Sequence, residues 1–113
     1  MIKRGQVYWV ALDPTVGSEI QKTRPAVVVS NDAGNAYSPL ITVLPITSKA
    51  ERVFPFEVEI LRGQGGLKEG GKIKANQIQT IDKKRLRGRP LGQMPPPTMR
   101  SVNEAIKIHL ALE

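Results

Sequence analysis

Cysteine is absent from the 113 residues. That excludes a disulfide framework, a thiolate zinc site and a cysteine nucleophile together. Histidine occurs once, as His109, so cleavage chemistry built on a pair of histidines has no residues to run on. His109 lies beside Leu110 and one turn from Ile106, and reads as the border of a helix rather than as a catalyst. Long hydrophobic runs are missing too: the aliphatic stretch Ala26-Val27-Val28-Val29 falls far short of the roughly 20 residues that a membrane helix needs. The start, Met1-Ile2-Lys3-Arg4-Gly5-Gln6, has two basic residues without the apolar core of a signal peptide behind them. Acidic residues are scattered, and no pair has a recognisable metal-ligand spacing. These absences lead to the expectation of a soluble, cytoplasmic protein that works without metal or cofactor.

What is present suits one turn-rich globular domain over residues 1–113: 40% hydrophobic residues, with nine prolines and ten glycines. The formal charge of +7 is unevenly spread. Residues 1–71 carry eight basic and seven acidic side chains. Residues 72–100 carry eight basic ones (Lys72, Lys74, Lys83, Lys84, Arg85, Arg87, Arg89, Arg100) against Asp82 alone. Such a block focuses a positive field on a polyanion. A merely solvated surface would carry the same charge, so this feature does not choose among RNA, DNA and an acidic protein.

Strand signals fill the first two-thirds. Val7-Tyr8-Trp9-Val10-Ala11-Leu12 is β-branched and aromatic and ends at the turn pair Asp13-Pro14. Ala26–Val29 reads as a strand buried on both faces. Leu40–Leu44 is a third, which Pro45 interrupts or confines to an edge. Phe56-Glu57-Val58-Glu59-Ile60 alternates apolar and acidic residues, predicting one buried and one wet face. Lys72–Ile78 follows the Gly70-Gly71 turn as a further strand, and Ile81 to Leu86 reads as a short helical turn. Beyond Pro95-Pro96-Pro97, Met99, Val102, Ile106 and Leu110 form the stripe of an amphipathic helix. Ser101 with Glu104 offers it a capping box, and Thr98 an alternative N-cap. Short strands closed by one helix predict a small twisted barrel. Two long connections, Asp13 to Arg24 and Asn31 to Pro39, are candidates for function.

Cutting RNA without a metal uses the RNA's own 2′-hydroxyl as nucleophile. The protein must then remove that proton, stabilise a dianionic phosphorane and let the 5′-oxygen leave. A guanidinium matches phosphate oxygens and never loses its charge. Arg24 is the candidate, with the Thr47 hydroxyl as a second donor and Glu19 as proton acceptor. Each also has a plain structural reading, as an ion-pair partner, a turn former and a solvated loop charge.

Three segments taken together resemble the N-terminal signature of the MazF/PemK toxins: Gly5-Gln6-Val7-Tyr8-Trp9, Leu12-Asp13-Pro14-Thr15-Val16-Gly17-Ser18-Glu19, and Thr23-Arg24-Pro25-Ala26-Val27-Val28. The likeness continues through Val43-Leu44-Pro45-Ile46-Thr47-Ser48, Phe54-Pro55-Phe56-Glu57-Val58, Asn76-Gln77-Ile78 and Thr80-Ile81-Asp82. It implies an α+β, mainly β fold, the SH3-like barrel of the MazF/CcdB plasmid-toxin type with a C-terminal helix. It further implies a homodimer, cleavage of single-stranded RNA to a 2′,3′-cyclic phosphate and a 5′-hydroxyl, and a MazE-like antitoxin as partner. Carried over by position, the catalytic residues fall on Arg24, Thr47 and Glu19. RNA contacts are expected from Ser18, Lys22, Ser48, Lys49, Lys74, Asn76 and Gln77. Ser18 stands where PemK-like members use histidine, and Asn76 where they place an acid, which leaves Glu19 as the better base. Two other readings compete: a toxin of the same fold that poisons gyrase without chemistry, and a non-catalytic RNA-binding barrel.

Overall fold

The computed structural model describes residues 1–12, 17 and 22–113. Strands β1 (Gln6–Ala11), β2 (Thr23–Val28) and β3 (Leu40–Thr47) are followed by β4 (Glu57–Ile60), β5 (Gly71–Lys74), β6 (Gln79–Asp82) and β7 (Leu86–Gln93). Helix α1 (Asp32–Tyr37) joins β2 to β3, and helix α2 (Pro96–Leu110) closes the chain. The sheet order is β4-β5-β3-β2-β1-β7, with β6 pairing β3 as well. Every pairing is antiparallel. The sheet curls around its cores with β4 and β7 as its ends, so the expected barrel is an open one.

Two apolar clusters occupy the two faces. Val7, Val27, Leu44, Ile46, Ile73 and Val102 belong to the cluster that α2 covers. Tyr8, Val10, Ala26, Val28, Ile41 and Val43 belong to the other. The alternation along β1 to β3 explains why these strands read as continuous apolar runs: both sides are buried.

Pro45 does not mark an edge. β3 is central, pairing β2 on one side and both β6 and β5 on the other. The β6 ladder spans Leu40–Val43 and the β5 ladder Ile46–Thr47, so the missing N–H of Pro45 falls in the changeover between two partners. That is why a central strand tolerates it. The predicted strand Lys72–Ile78 stops at Lys74, where Ala75–Gln77 form a 3-10 turn. The expected helical turn after Ile81 is a 3-10 turn at Lys83–Arg85.

Helix α2 starts at Pro96 in the first helical position, after Pro95 as N-cap with no side-chain cap bond. Proline is suited there because that N–H has no helical partner. Neither proposed cap is used: Thr98 is buried inside the helix, and the Ser101 hydroxyl donates back to the Pro97 carbonyl at 3.4 Å. Val102 and Ala105 anchor the helix on the sheet, Met99 and Ile106 flank them, and Leu110 is exposed. Exposed His109 lies against the Phe56 ring, 6.5 Å away between centroids. No helix among the described residues is long and apolar enough to cross a membrane.

Candidate active site

The site forms where β2 begins and β3 ends. Their ladder pairs Ala26 with Pro45, Val27 with Leu44 and Val28 with Val43. The ladder ends at Ala26–Pro45. Arg24 lies two residues beyond it on β2 and Thr47 two beyond it on β3, and strand alternation puts both on the face of Ala26 and Pro45. β1 extends the row with Val10, the partner of Arg24. β5 extends it on the other side with Lys72, the partner of Thr47. A row of Val10, Arg24, Thr47 and Lys72 therefore crosses four strands on one face. Arg24 and Thr47 are both half-buried, accessible to a ligand yet held by strand backbone. The Thr47 Oγ1 accepts from the Lys49 amide at 3.3 Å, which leaves its own O–H to donate outward.

The chain beyond Thr47 is tied down by a buried ion cluster that sequence reasoning missed. Glu57 was expected on a wet face. Its side chain is instead fully buried, between Lys72 Nζ at 2.9 Å and Lys74 Nζ at 3.0 Å. Registers place all three on one face, since Glu57 pairs Lys74 and Glu59 pairs Lys72. Lys72 also donates to the Arg52 carbonyl at 2.6 Å, and Glu57 Oε1 accepts from the Phe54 amide at 3.0 Å. Lys74 Nζ meets the other carboxylate oxygen, Oε2, and adds a second positive charge to the cluster. Burial by itself would raise the Glu57 pKa. The Phe54 amide and the two lysines outweigh it and hold the carboxylate below its ordinary value. Phe54 stacks on Phe56, with Arg52 5.0 Å from the Phe54 ring centroid. The segment 48–56 is thus pinned at both ends, by Thr47 in β3 and by this cluster.

Of the predicted site residues, Arg24, Thr47, Ser48, Lys49 and Lys22 gather at these strand ends. Lys22 adopts φ +69°, the left-handed region that side chains enter only at a cost of about 1–3 kcal/mol. Its carbonyl accepts from the Leu12 amide at 3.1 Å, which holds it there. Lys74 stands two residues beyond Lys72, bound to Glu57. Asn76 and Gln77 lie past the far end of β5, in the 3-10 turn that packs against α2, and the structure does not bring them to Arg24 and Thr47. Ser18 and Glu19 lie outside the described residues. Among the described residues, no three Asp, Glu or His side chains group as a metal site would need.

A cavity of about 610 Å³ opens beside the same strand ends. Trp9, Pro25, Ile46, Leu67 and Leu91 line it, with Arg24 and Ser48 at its border. Trp9 had been read only as a strand residue. The available signal was the alternation Val7-Trp9, which sets a large aromatic on the same face as a core valine, close to the strand end.

A mostly antiparallel sheet closed by a C-terminal helix defines a small β-domain. The model of the family described as PemK-like, MazF-like toxin of type II toxin-antitoxin system matches residues 3–110. The chain is 42% identical over 117 residues to endoribonuclease MazF9 of Mycobacterium tuberculosis, covering 99% of this chain and 98% of that one. It is 40% identical over 113 residues to endoribonuclease EndoA of Bacillus subtilis, covering 99% and 97%. Among solved structures it resembles MazF from Deinococcus radiodurans, with a TM-score of 0.84 at 27% identity, covering 97% of this chain and 96% of that chain. It equally resembles a mycobacterial endoribonuclease solved with its cognate antitoxin, with a TM-score of 0.82 at 29% identity over 100% and 98% of the two chains. The chain belongs to the PemK-like, MazF-like toxins of type II toxin-antitoxin systems, and its curated relatives place it among the endoribonucleases.

Proposed function

We propose that this chain cuts single-stranded RNA without a metal, by attack of the RNA's own 2′-oxygen on the adjoining phosphorus. The supporting observation is the β2–β3 register, whose ladder ends two residues short of Arg24 and Thr47, with strand alternation carrying both side chains to one face. The Arg24 guanidinium and the Thr47 hydroxyl donate to the non-bridging oxygens as charge builds on the phosphorane, where a fixed donor lowers the barrier most. The 2′-hydroxyl proton goes to Glu19, an assignment supported by sequence position alone. The P–O5′ bond breaks as the new P–O2′ bond closes, and the departing 5′-oxygen takes up a proton from solvent water, giving a 2′,3′-cyclic phosphate and a 5′-hydroxyl. Lys22, Ser48 and Lys49 hold flanking phosphates.

The chain acts in this reading as the toxin of a toxin–antitoxin pair, in the cytoplasm where mRNA is found. It assembles as a homodimer and is restrained by an antitoxin segment, in keeping with the relative solved with its cognate antitoxin. A gyrase poison of the same fold would need neither Arg24 nor Thr47, and a passive RNA-binding barrel would leave RNA intact. Purified chain incubated with single-stranded RNA in excess EDTA separates these readings. Cleavage at few positions is expected, and RNA that stays intact at high protein concentration refutes the proposal.

A further inference from the structure

The cavity beside Arg24 is built rather than accidental. Its wall at Leu67 belongs to a turn closed by the Gly63 amide donating to the Leu67 carbonyl at 2.8 Å, and by the Leu67 amide donating to the Gln64 carbonyl at 3.1 Å. That turn lies directly on β7. A Cβ at Gly66 (φ +78°) would stand 1.9 Å from the Leu91 carbonyl oxygen, and one at Gly65 would stand 2.7 Å from Met94 Cε. Only glycine lets the turn approach so closely, and Leu67 and Leu91 line the cavity together with Trp9. Trp9 itself stays 42% exposed, although Val7 on the same face of β1 is fully buried. An apolar aromatic surface left open inside a preformed cavity marks a place for a ligand.

We infer that this cavity receives a nucleobase next to the scissile phosphate, with the Trp9 indole as its stacking surface. The inference rests on the ribonuclease reading of Arg24 and Thr47. Three features select a base as the occupant. The walls are apolar and include one flat π face, which stacks any base. Thr23, Ser48 and Glu69 also line the cavity, residue types whose side chains can hydrogen-bond a base edge. Arg24 and Lys68 are lining residues too, and bring positive charge to the phosphates on either side of a bound base. Arg24 lines the cavity together with its β2 neighbours Thr23 and Pro25, so the cavity opens beside the catalytic row at the same strand ends. An RNA strand crossing that end sets its phosphate on the row and its neighbouring base in the cavity.

Trp9 is the only tryptophan of the chain, so its emission reports on the cavity alone. The cut position is first mapped by sequencing the cleavage products of a long unstructured RNA. A short RNA spanning it, with 2′-deoxyribose at the cut position, is then titrated into wild-type protein, followed by the same RNA made abasic at one position at a time. We expect quenching of Trp9 emission, and one abasic position flanking the cut that removes the quenching and weakens binding about tenfold. Trp9→Leu, which keeps an apolar side chain without a ring, should bind the parent RNA about tenfold more weakly and lose discrimination against that abasic RNA. Trp9→Phe should restore both. Parent RNA that leaves the emission unchanged, or Trp9→Leu that binds and discriminates like wild type, overturns the inference and leaves the cavity to a peptide partner. Long RNA that is never cut overturns the underlying ribonuclease reading and the base site with it.

Discussion

Replacing Glu57 with glutamine keeps the shape of the buried cluster and removes its only negative charge. Two ammonium groups, at 2.9 and 3.0 Å from the carboxylate oxygens, then face each other without a counter-charge. At an effective dielectric of about 20, each attraction is worth roughly 6 kcal/mol before desolvation is subtracted. Removing one partner of a buried pair costs about 3–5 kcal/mol net. The lysine side chains keep 11% and 20% of their exposure while Glu57 has none. Partial rehydration of the lysines therefore points to the lower end, about 3 kcal/mol. In a domain of this size that corresponds to a Tm lower by roughly 12 °C, measurable by thermal unfolding at neutral pH. The pH dependence carries a second signature. The folded carboxylate is held below its ordinary value of 4.5, so the unfolded chain takes up the proton first. The stability Glu57 contributes is full above about pH 4.5 and is lost as the pH falls through the folded value. Glu57→Gln should flatten that part of the stability curve. A Tm within about 3 °C of wild type, or an unchanged acid limb, would refute this reasoning.

Thr47→Ala should lower kcat roughly 100-fold, the usual loss of one transition-state donor, whereas Thr47→Ser keeps the hydroxyl and most of the rate. Equal damage from both substitutions in a single-turnover assay would make Thr47 a packing residue. Lys22→Gly should raise stability by about 1 kcal/mol, because glycine adopts φ +69° without strain, while weakening RNA binding and its salt dependence. A drop in Tm, or a salt slope equal to wild type, would contradict that.

The strands around the core were legible because β1 to β3 are built from β-branched and apolar residues, and α2 because Met99, Val102 and Ile106 keep helical spacing. β7 was not. Leu86–Gln93 is an exposed edge strand with Gly88 at φ +72° and a register shift opposite Val7 and Trp9, so it carries no alternation to read. Glu57 misled because period-2 reasoning assigns an acid to water, while its burial depends on lysines from a strand 15 and 17 residues away. Arg24 and Thr47 could be proposed from phosphate chemistry and family likeness, but their sharing of a face follows from the β2–β3 register. The Trp9 cavity depends on glycines that let the 63–67 turn lie on β7, a long-range fit that local pattern does not encode.

In the proposed reaction the RNA supplies its own nucleophile to a phosphate held by Arg24 and Thr47. Its most direct test is an RNA of mapped cut position made with ribose or 2′-deoxyribose at that one nucleotide, incubated in excess EDTA with wild type and with Arg24→Ala. Expected are a 2′,3′-cyclic phosphate and a 5′-hydroxyl from the ribose RNA with wild type, no cut in the deoxy RNA, and a folded Arg24→Ala that cuts the ribose RNA at least about 100-fold more slowly. A cut in the deoxy RNA, or Arg24→Ala working at the wild-type rate, would contradict the proposed reaction.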